Sequence, residues 1–253
     1  MLKKPFRKDS AFWPYLFLFV LGAGLYLPII FSGKTTLVPS YQDQTQWQIY
    51  REFINQSIAR GYFPLWCEAL FSGLDFAGWG HSSVFYPLAF FFFWFKFAYA
   101  ATINQFFHLT LVLFGFYFLA RKIGLRKESA FLSAVGYGFA NFLPSMIEDF
   151  LPQIFALSFT PWVYGLSLEI IQSFRKRTFF MLSIILGIQL LSGHIELVVL
   201  EYLSLFIFLL VFILFKPAPL KLKLNGFVLW FCSIISGIIL GILAVLPSFA
   251  GYS

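Results

Sequence analysis

From Ile195 to Phe215 the chain reads IELVVLEYLSLFIFLLVFILF, and after Glu201 no charged side chain interrupts it. A helix of about 20 such residues covers roughly the 30 Å hydrocarbon core of a bilayer. In that medium every backbone N–H and C=O has to find its partner inside the structure, so a crossing segment of this kind is helical. The pattern recurs along the chain. Apolar blocks lie at Ala11–Phe31, about Gln105–Ala120, Ser129–Ile147, Pro152–Gln172, Thr178–Gly193, Ile195–Phe215 and Phe227–Phe249. They are continuous rather than alternating, which argues against the short strands of a membrane β-barrel. With 60% hydrophobic and 11% charged residues, the chain of 253 residues is too apolar for a soluble domain. The expected fold is an all-α polytopic membrane protein, a single membrane domain over 1–253 with about seven transmembrane helices.

The basic residues give the expected orientation. MLKKPFRKDS (1–10), RKIGLRK (121–127), SFRKR (173–177) and KPAPLKLKLNG (216–226) hold every Lys and Arg except Lys34, Arg51, Arg60 and Lys96. Loops rich in Lys and Arg stay in the cytoplasm, which puts the N-terminus inside and the end of the last span outside. The net charge of +7 is thereby explained without nucleic acid. FYPLAFFFFWFKFAYAA (85–101) is read as an interfacial or re-entrant segment, because a full crossing there would turn RKIGLRK outward. The alternative is a genuine extra span with an inverted remainder. The first block, longer than the apolar core of a signal peptide, reads as a retained anchor. A long extracytoplasmic loop then covers 32–104.

The same topology sorts the acids. Asp9, Glu128 and Glu169 fall at the cytoplasmic edge, whereas Asp43, Glu52, Glu68, Asp75, Glu148, Asp149, Glu196 and Glu201 fall on the outer side with His81, His108 and His194. The rule for Lys and Arg does not require this, so the clustering points to a polar site at the outer face. Within the loop, Trp47, Tyr50, Phe53, Ile54 and Ile58 recur at helical spacing between Asp43 and Arg60, as in an amphipathic helix lying on the surface. Ser40 and Asp43 resemble a capping box, so Asp43 reads equally as a helix-start carboxylate and as a catalytic one. Trp66, Trp79 and Tyr86, in the Gly- and Pro-rich stretch 61–88, read as interfacial anchors or as platforms for a sugar ring. Glu148 and Asp149 are either a solvated turn or part of the site. Glu201 follows His194 by seven residues, about 10 Å deeper along one helix face. A carboxylate at that depth faces a cavity or a partner rather than lipid, unless it is protonated. Cys67 and Cys232 suggest neither a disulfide framework nor a metal site, and no phosphate-cradling Gly-rich loop points to ATP.

The order of QDQTQW (42–47), GYFPLW (61–66), FSGLDF (71–76), FYPL (85–88) and LSGH (191–194) resembles the bacterial YfhO-type membrane protein family, within the multi-span glycosyltransferases of the GT-C fold. The resemblance implies transfer of a sugar from a polyprenyl-phosphate carrier, at the outer face of a bacterial cell membrane, to a cell-envelope polymer such as teichoic acid. It makes Asp43 the general base or a metal ligand and offers Glu148 or Asp149 as a second acid. Members are usually longer, so the chain resembles the N-terminal part of such a protein.

That chemistry has a physical basis. A carboxylate accepts the proton of a weakly nucleophilic sugar hydroxyl. The departing lipid phosphate needs positive charge, for which Arg51, Arg60 and His81 are the candidates near Asp43, with Lys96 beyond. Oxygen ligands from Asp43 and Asp149 would suit Mg²⁺ or Mn²⁺. Trp66, His194 and Glu201 complete the candidate substrate wall. A second class of function stands beside it, a transporter or flippase for a lipid or amphiphile using Glu201, His194 and His108. A non-catalytic membrane module is the third.

Overall fold

The computed structural model describes residues 12–32, 42–142, 151–215 and 220–242. Ten helices account for most of them: α1 (Phe12–Ser32), α2 (Gln42–Ala59), α3 (Phe91–Trp94), α4 (Phe97–Lys122), α5 (Lys127–Tyr137), α6 (Leu151–Leu157), α7 (Thr160–Ser173), α8 (Lys176–Leu190), α9 (Ile195–Phe215) and α10 (Leu220–Gly241). A π-helical turn, Gly138–Phe142, extends α5, and two short strands, β1 (Trp66–Cys67) and β2 (Leu74–Asp75), pair antiparallel between α2 and α3. Among the described residues five segments are long and apolar enough to cross a membrane: α1, α4, α6 with α7, α9, and residues 224–241 of α10. The chain is thus a multi-pass helical protein built for a bilayer.

One segment makes no crossing, as the leading sequence reading expects, and two boundaries differ from that reading. Residues 87–94 form only a 3₁₀ turn, Pro87–Phe90, and the single turn α3, so 85–101 makes no crossing of its own. Its last residues instead open α4, which starts at Phe97 rather than near Gln105, because Ala100 and Ala101 are fully buried against the neighbouring elements. The block expected over Pro152–Gln172 is interrupted at Ser158 and Phe159. Pro161 cannot continue a helix from α6, since its ring would strike the carbonyl four residues back, and Ser158 Oγ donates to Phe155 O at 2.9 Å instead. The third expected span is helical through Phe142, and its remainder lies outside the described residues.

Helices α1 and α4 run antiparallel. Near one end Tyr15 packs edge-on to Tyr117 at 5.0 Å, and near the other Tyr26 meets Phe106 at 6.1 Å. Helix α7 is fixed to α4 by Trp162, whose Nε1 donates to Leu111 O at 2.8 Å, and to α10 by Trp230, whose Nε1 donates to Ser167 Oγ at 3.1 Å. Helices α8 and α10 run parallel and close, because Gly187 faces Gly237 and Gly241. A Cβ at Gly237 would lie 2.6 Å from Leu186 Cβ, and one at Gly187 would lie 2.8 Å from Leu240 Cβ. Small residues four apart let helix backbones approach and gain dispersion contacts, which is the available driving force where lipid tails are as apolar as leucine.

This arrangement gives the bundle two unlike ends. The start of α4, the end of α8 and the start of α9 gather beside α2 and the loop that follows it. At the opposite end, the ends of α4 and α7 meet the start of α8, and Lys122 Nζ lies 2.7 Å from Glu169. Basic segments 121–127 and 173–177 therefore share the end remote from α2.

Candidate functional site

Helix α2 turns a stripe of Trp47, Tyr50, Arg51, Ile54 and Ser57 inward, all of them buried. Ile58, expected on this face, is 44% exposed, and Arg51 occupies it instead, one turn after Trp47. The Arg51 guanidinium sits 4.5 Å from the centre of the Trp47 ring, and Nη2 donates to the Ser82 carbonyl. Its Nε and Nη1 are buried and find no acceptor among the described residues. Burial pushes the Arg51 pKa down to about 9, which leaves the group charged at neutral pH. A buried cation with open donors is costly unless an anion completes it.

The guanidinium borders a cavity of about 320 Å³. Gln48, Glu52 and Asn55 of α2 form one wall, and Phe92, Phe95, Lys96 and Phe97 form the other. Gln48 Nε2 donates to Glu52 Oε1 at 2.9 Å, and Asn55 Nδ2 donates to Phe92 O at 2.9 Å, tying α2 to α3. The cavity thus combines two cations, one carboxylate and an aromatic lining. Asp43 lies in the first turn of α2, about 12 Å before Arg51 along the helix axis. Its side chain is outside the described residues, as are Glu148 and Asp149 altogether.

The loop after α2 holds Arg51 through the Ser82 carbonyl. Strands β1 and β2 seat Phe76, fully buried, against Tyr50 and Phe53. Trp79 then packs edge-on to Tyr50 at 4.8 Å and leads into the 3₁₀ turn Gly80–Ser82, whose Ser82 carbonyl receives Arg51. On its other side this turn docks on the α8–α9 connection. Ser83 Oγ donates to Ser192 O at 2.6 Å, and His81 meets His194 edge-on at 5.2 Å. His194 also has Gln153 Nε2 at 3.3 Å and Glu196 Oε2 at 3.1 Å from its two ring nitrogens. Burial holds the His194 pKa below its ordinary value, and Glu196 opposes that shift.

Gly193 is required at the dock. It has φ +96°, and a Cβ there would run into the Gly80 carbonyl and Ser83 Oγ. Gly193→Ala is expected to cost about 2 kcal/mol or more, from left-handed strain plus overpacking against backbone. The measurement is thermal unfolding of the detergent-solubilised chain, together with faster protease nicking in 61–88; an unchanged melting temperature would refute the tight dock.

The structure brings Arg51, His81 and His194 onto one turn and leaves other expected residues apart. Arg60 is exposed at the far end of α2. Trp66 is 56% exposed and its ring covers Gly73 in the hairpin, away from the cavity. Tyr86, one of the expected anchors or sugar platforms, is fully buried, and its hydroxyl lies 2.7 Å from His108 Nε2. His108 Nδ1 donates to Asn104 O at 2.7 Å, so both ring nitrogens are engaged within the core. Glu201 does not join His194. It turns between α7 and α8, accepting from Thr160 Oγ1 at 2.9 Å and from Gln189 Nε2 at 2.6 Å, and it is 8% exposed.

Gln189, Thr160, Gln153 and Asn55 were not singled out in the sequence, although an amide inside an apolar block, as Gln189 is, marks a buried partner. Among the described residues no three His, Cys, Asp or Glu side chains gather as they would around a metal ion; the Asp43 and Asp149 side chains proposed as ligands lie outside that set. Compared with known protein families, with curated proteins and with solved structures, the chain has no match.

Proposed function

We propose that the chain is a lipid-linked-sugar glycosyltransferase of the YfhO-like GT-C type, or the N-terminal module of one. The observation that carries this reading is the Arg51 cavity. A fully buried guanidinium with two nitrogens that find no acceptor among the described residues, beside Lys96 and an aromatic wall, suits a phosphate attached to an apolar carrier. In this reading Arg51 and Lys96 hold the polyprenyl phosphate and stabilise the charge that grows on it as the sugar departs. Phe92, Phe95 and Phe97 line the carrier's path, and Asp43, on the same helix, takes the proton of the acceptor hydroxyl. Glu148 or Asp149 supplies a second acid, and a cell-envelope polymer such as teichoic acid is the acceptor. The bundle then has about seven spans, in a bacterial membrane, with the N-terminus in the cytoplasm and α2 outside.

The test is transfer of radiolabelled sugar from a polyprenyl-phosphate donor in membranes. Asp43→Asn is expected to lower transfer by roughly 100-fold or more at unchanged protein level. Treatment with EDTA reads a divalent-cation requirement separately. Full transfer by Asp43→Asn would remove Asp43 from catalysis and return it to helix capping. The second reading, movement of an amphiphile across the membrane, rests on Glu201, whose Oε1 has no hydrogen-bond partner among the described residues. Lipid scrambling by the reconstituted chain, abolished in Glu201→Gln but kept in Asp43→Asn, would favour it.

A further inference from the structure

The corner remote from α2 has no part in that reading. Glu169 near the end of α7 is approached by two cations, Lys122 Nζ at 2.7 Å and Arg175 Nη1 at 3.8 Å. Arg177 stands beside them and makes no ion pair among the described residues. Positive charge therefore exceeds negative here. Glu169, Arg175 and Arg177 rim a cavity of about 200 Å³ whose inner wall is apolar, formed by Phe118, Trp162, Leu166 and Met181. Arg175 is also the N-cap of α8 and makes no side-chain cap, so the first N–H groups of α8 open at the same rim with their partial positive charge.

What distinguishes this corner from a simple anion site is the surface leading away from it. Phe180 and Ile184 follow Arg177 three and seven residues on, along one face of α8, and are 61% and 51% exposed. On a helix packed in a membrane bundle, that exposed apolar face meets lipid. A cationic rim, an apolar recess and an apolar track in series match one kind of molecule. A soluble phosphate would use only the rim. A zwitterionic lipid would bring its own cation to a corner already rich in cations.

We propose that this corner between α4, α7 and α8 binds the headgroup phosphate of an anionic phospholipid, with its acyl chains along Phe180 and Ile184. Basic pockets between membrane helices recognise anionic headgroups through the same combination of charge and recess. The bound lipid would bridge the ends of α7 and α8 and offset the repulsion between Arg175 and Arg177.

The test is native mass spectrometry of the full chain, released from micelles holding equal amounts of phosphatidylglycerol and phosphatidylcholine. Wild type is expected to retain phosphatidylglycerol in preference. Arg175→Gln/Arg177→Gln is expected to bind it roughly 30-fold more weakly, from about a fivefold effect per basic residue near an anionic headgroup. Lys3→Gln/Lys4→Gln, which removes the same charge from the N-terminal basic segment, should retain it. Met181→Trp fills the recess without changing charge and should lose it too; this variant carries the test if the double arginine variant elutes as an aggregate. Equal retention of phosphatidylcholine, undiminished retention by the arginine and Met181→Trp variants, or equal loss in the lysine variant would overturn the proposal. So would displacement of the lipid by inorganic phosphate at the same concentration.

Discussion

With Arg51 holding the carrier phosphate as proposed, Arg51→Gln is expected to lower sugar transfer by roughly 100-fold, the usual effect of removing one preorganised donor to a developing oxyanion. The same substitution should leave the fold intact. Among the described residues, buried Arg51 has only Ser82 and the Trp47 face to offset its desolvation, and its Nε and Nη1 lack acceptors. Removing a buried charge that lacks an ionic partner relieves its desolvation cost. The expected pair of results is thus lost transfer with an unchanged or raised melting temperature. Arg51→Lys should recover part of the transfer, because charge is kept while the planar fork of donors is lost. A sharp fall in melting temperature with transfer preserved would instead make Arg51 a strut between α2 and the 80–83 turn, and the cavity would no longer support a phosphate site.

Gly237→Leu is expected to destabilise the bundle by about 3 kcal/mol, the upper part of the range for overpacking. At Gly237 a Cβ would already lie 2.6 Å from Leu186 Cβ and 3.1 Å from the Ser183 carbonyl, and the latter is backbone that cannot swing aside. The helices must separate, which also draws Leu240 and Gly241 away from Gly187 and Leu190. Ile239→Leu is the matched control, since Ile239 is 62% exposed and should change stability by less than about 0.5 kcal/mol. Both are read by thermal unfolding in detergent with the full chain. Equal melting temperatures for the two variants would show that α8 and α10 are not held by this close approach. Because α8 ends at the Ser192–Gly193 dock, separation of the pair is also expected to loosen the loop whose Ser82 carbonyl holds Arg51.

Some of this architecture was legible in the sequence. The α2 helix was visible from Trp47, Tyr50 and Ile54, because a 3.6-residue repeat is a local property. Its inward stripe was read differently at two positions: Ile58 was placed on the apolar face, and Arg51, though a candidate for the lipid phosphate, was placed among the polar residues between the apolar ones. Spacing alone puts both near that face. Which of them goes in depends on the Ser82 carbonyl, thirty-one residues away, and on the Trp47 ring. The start of α4 was missed for a similar reason. Lys96 among aromatic residues reads as a membrane edge, whereas burial of Ala100 and Ala101 carries the helix back to Phe97. Glu201 was correctly read as facing away from lipid, but its partners, Thr160 and Gln189, come from other helices and left no pattern near it.

The sequence by itself determined that this chain is helical and multi-pass, because the transfer of a segment into hydrocarbon is nearly a sum over its own residues. It also marked two unlike polar populations, the basic segments and the acids with histidines. Only the tertiary structure decided which polar groups meet. Arg51 with Ser82, His81 with His194, and Glu201 with Gln189 are each joined across a loop or between helices. Such contacts depend on packing directions and on close approaches at Gly187 and Gly193, where the absence of a side chain allows two backbones to touch.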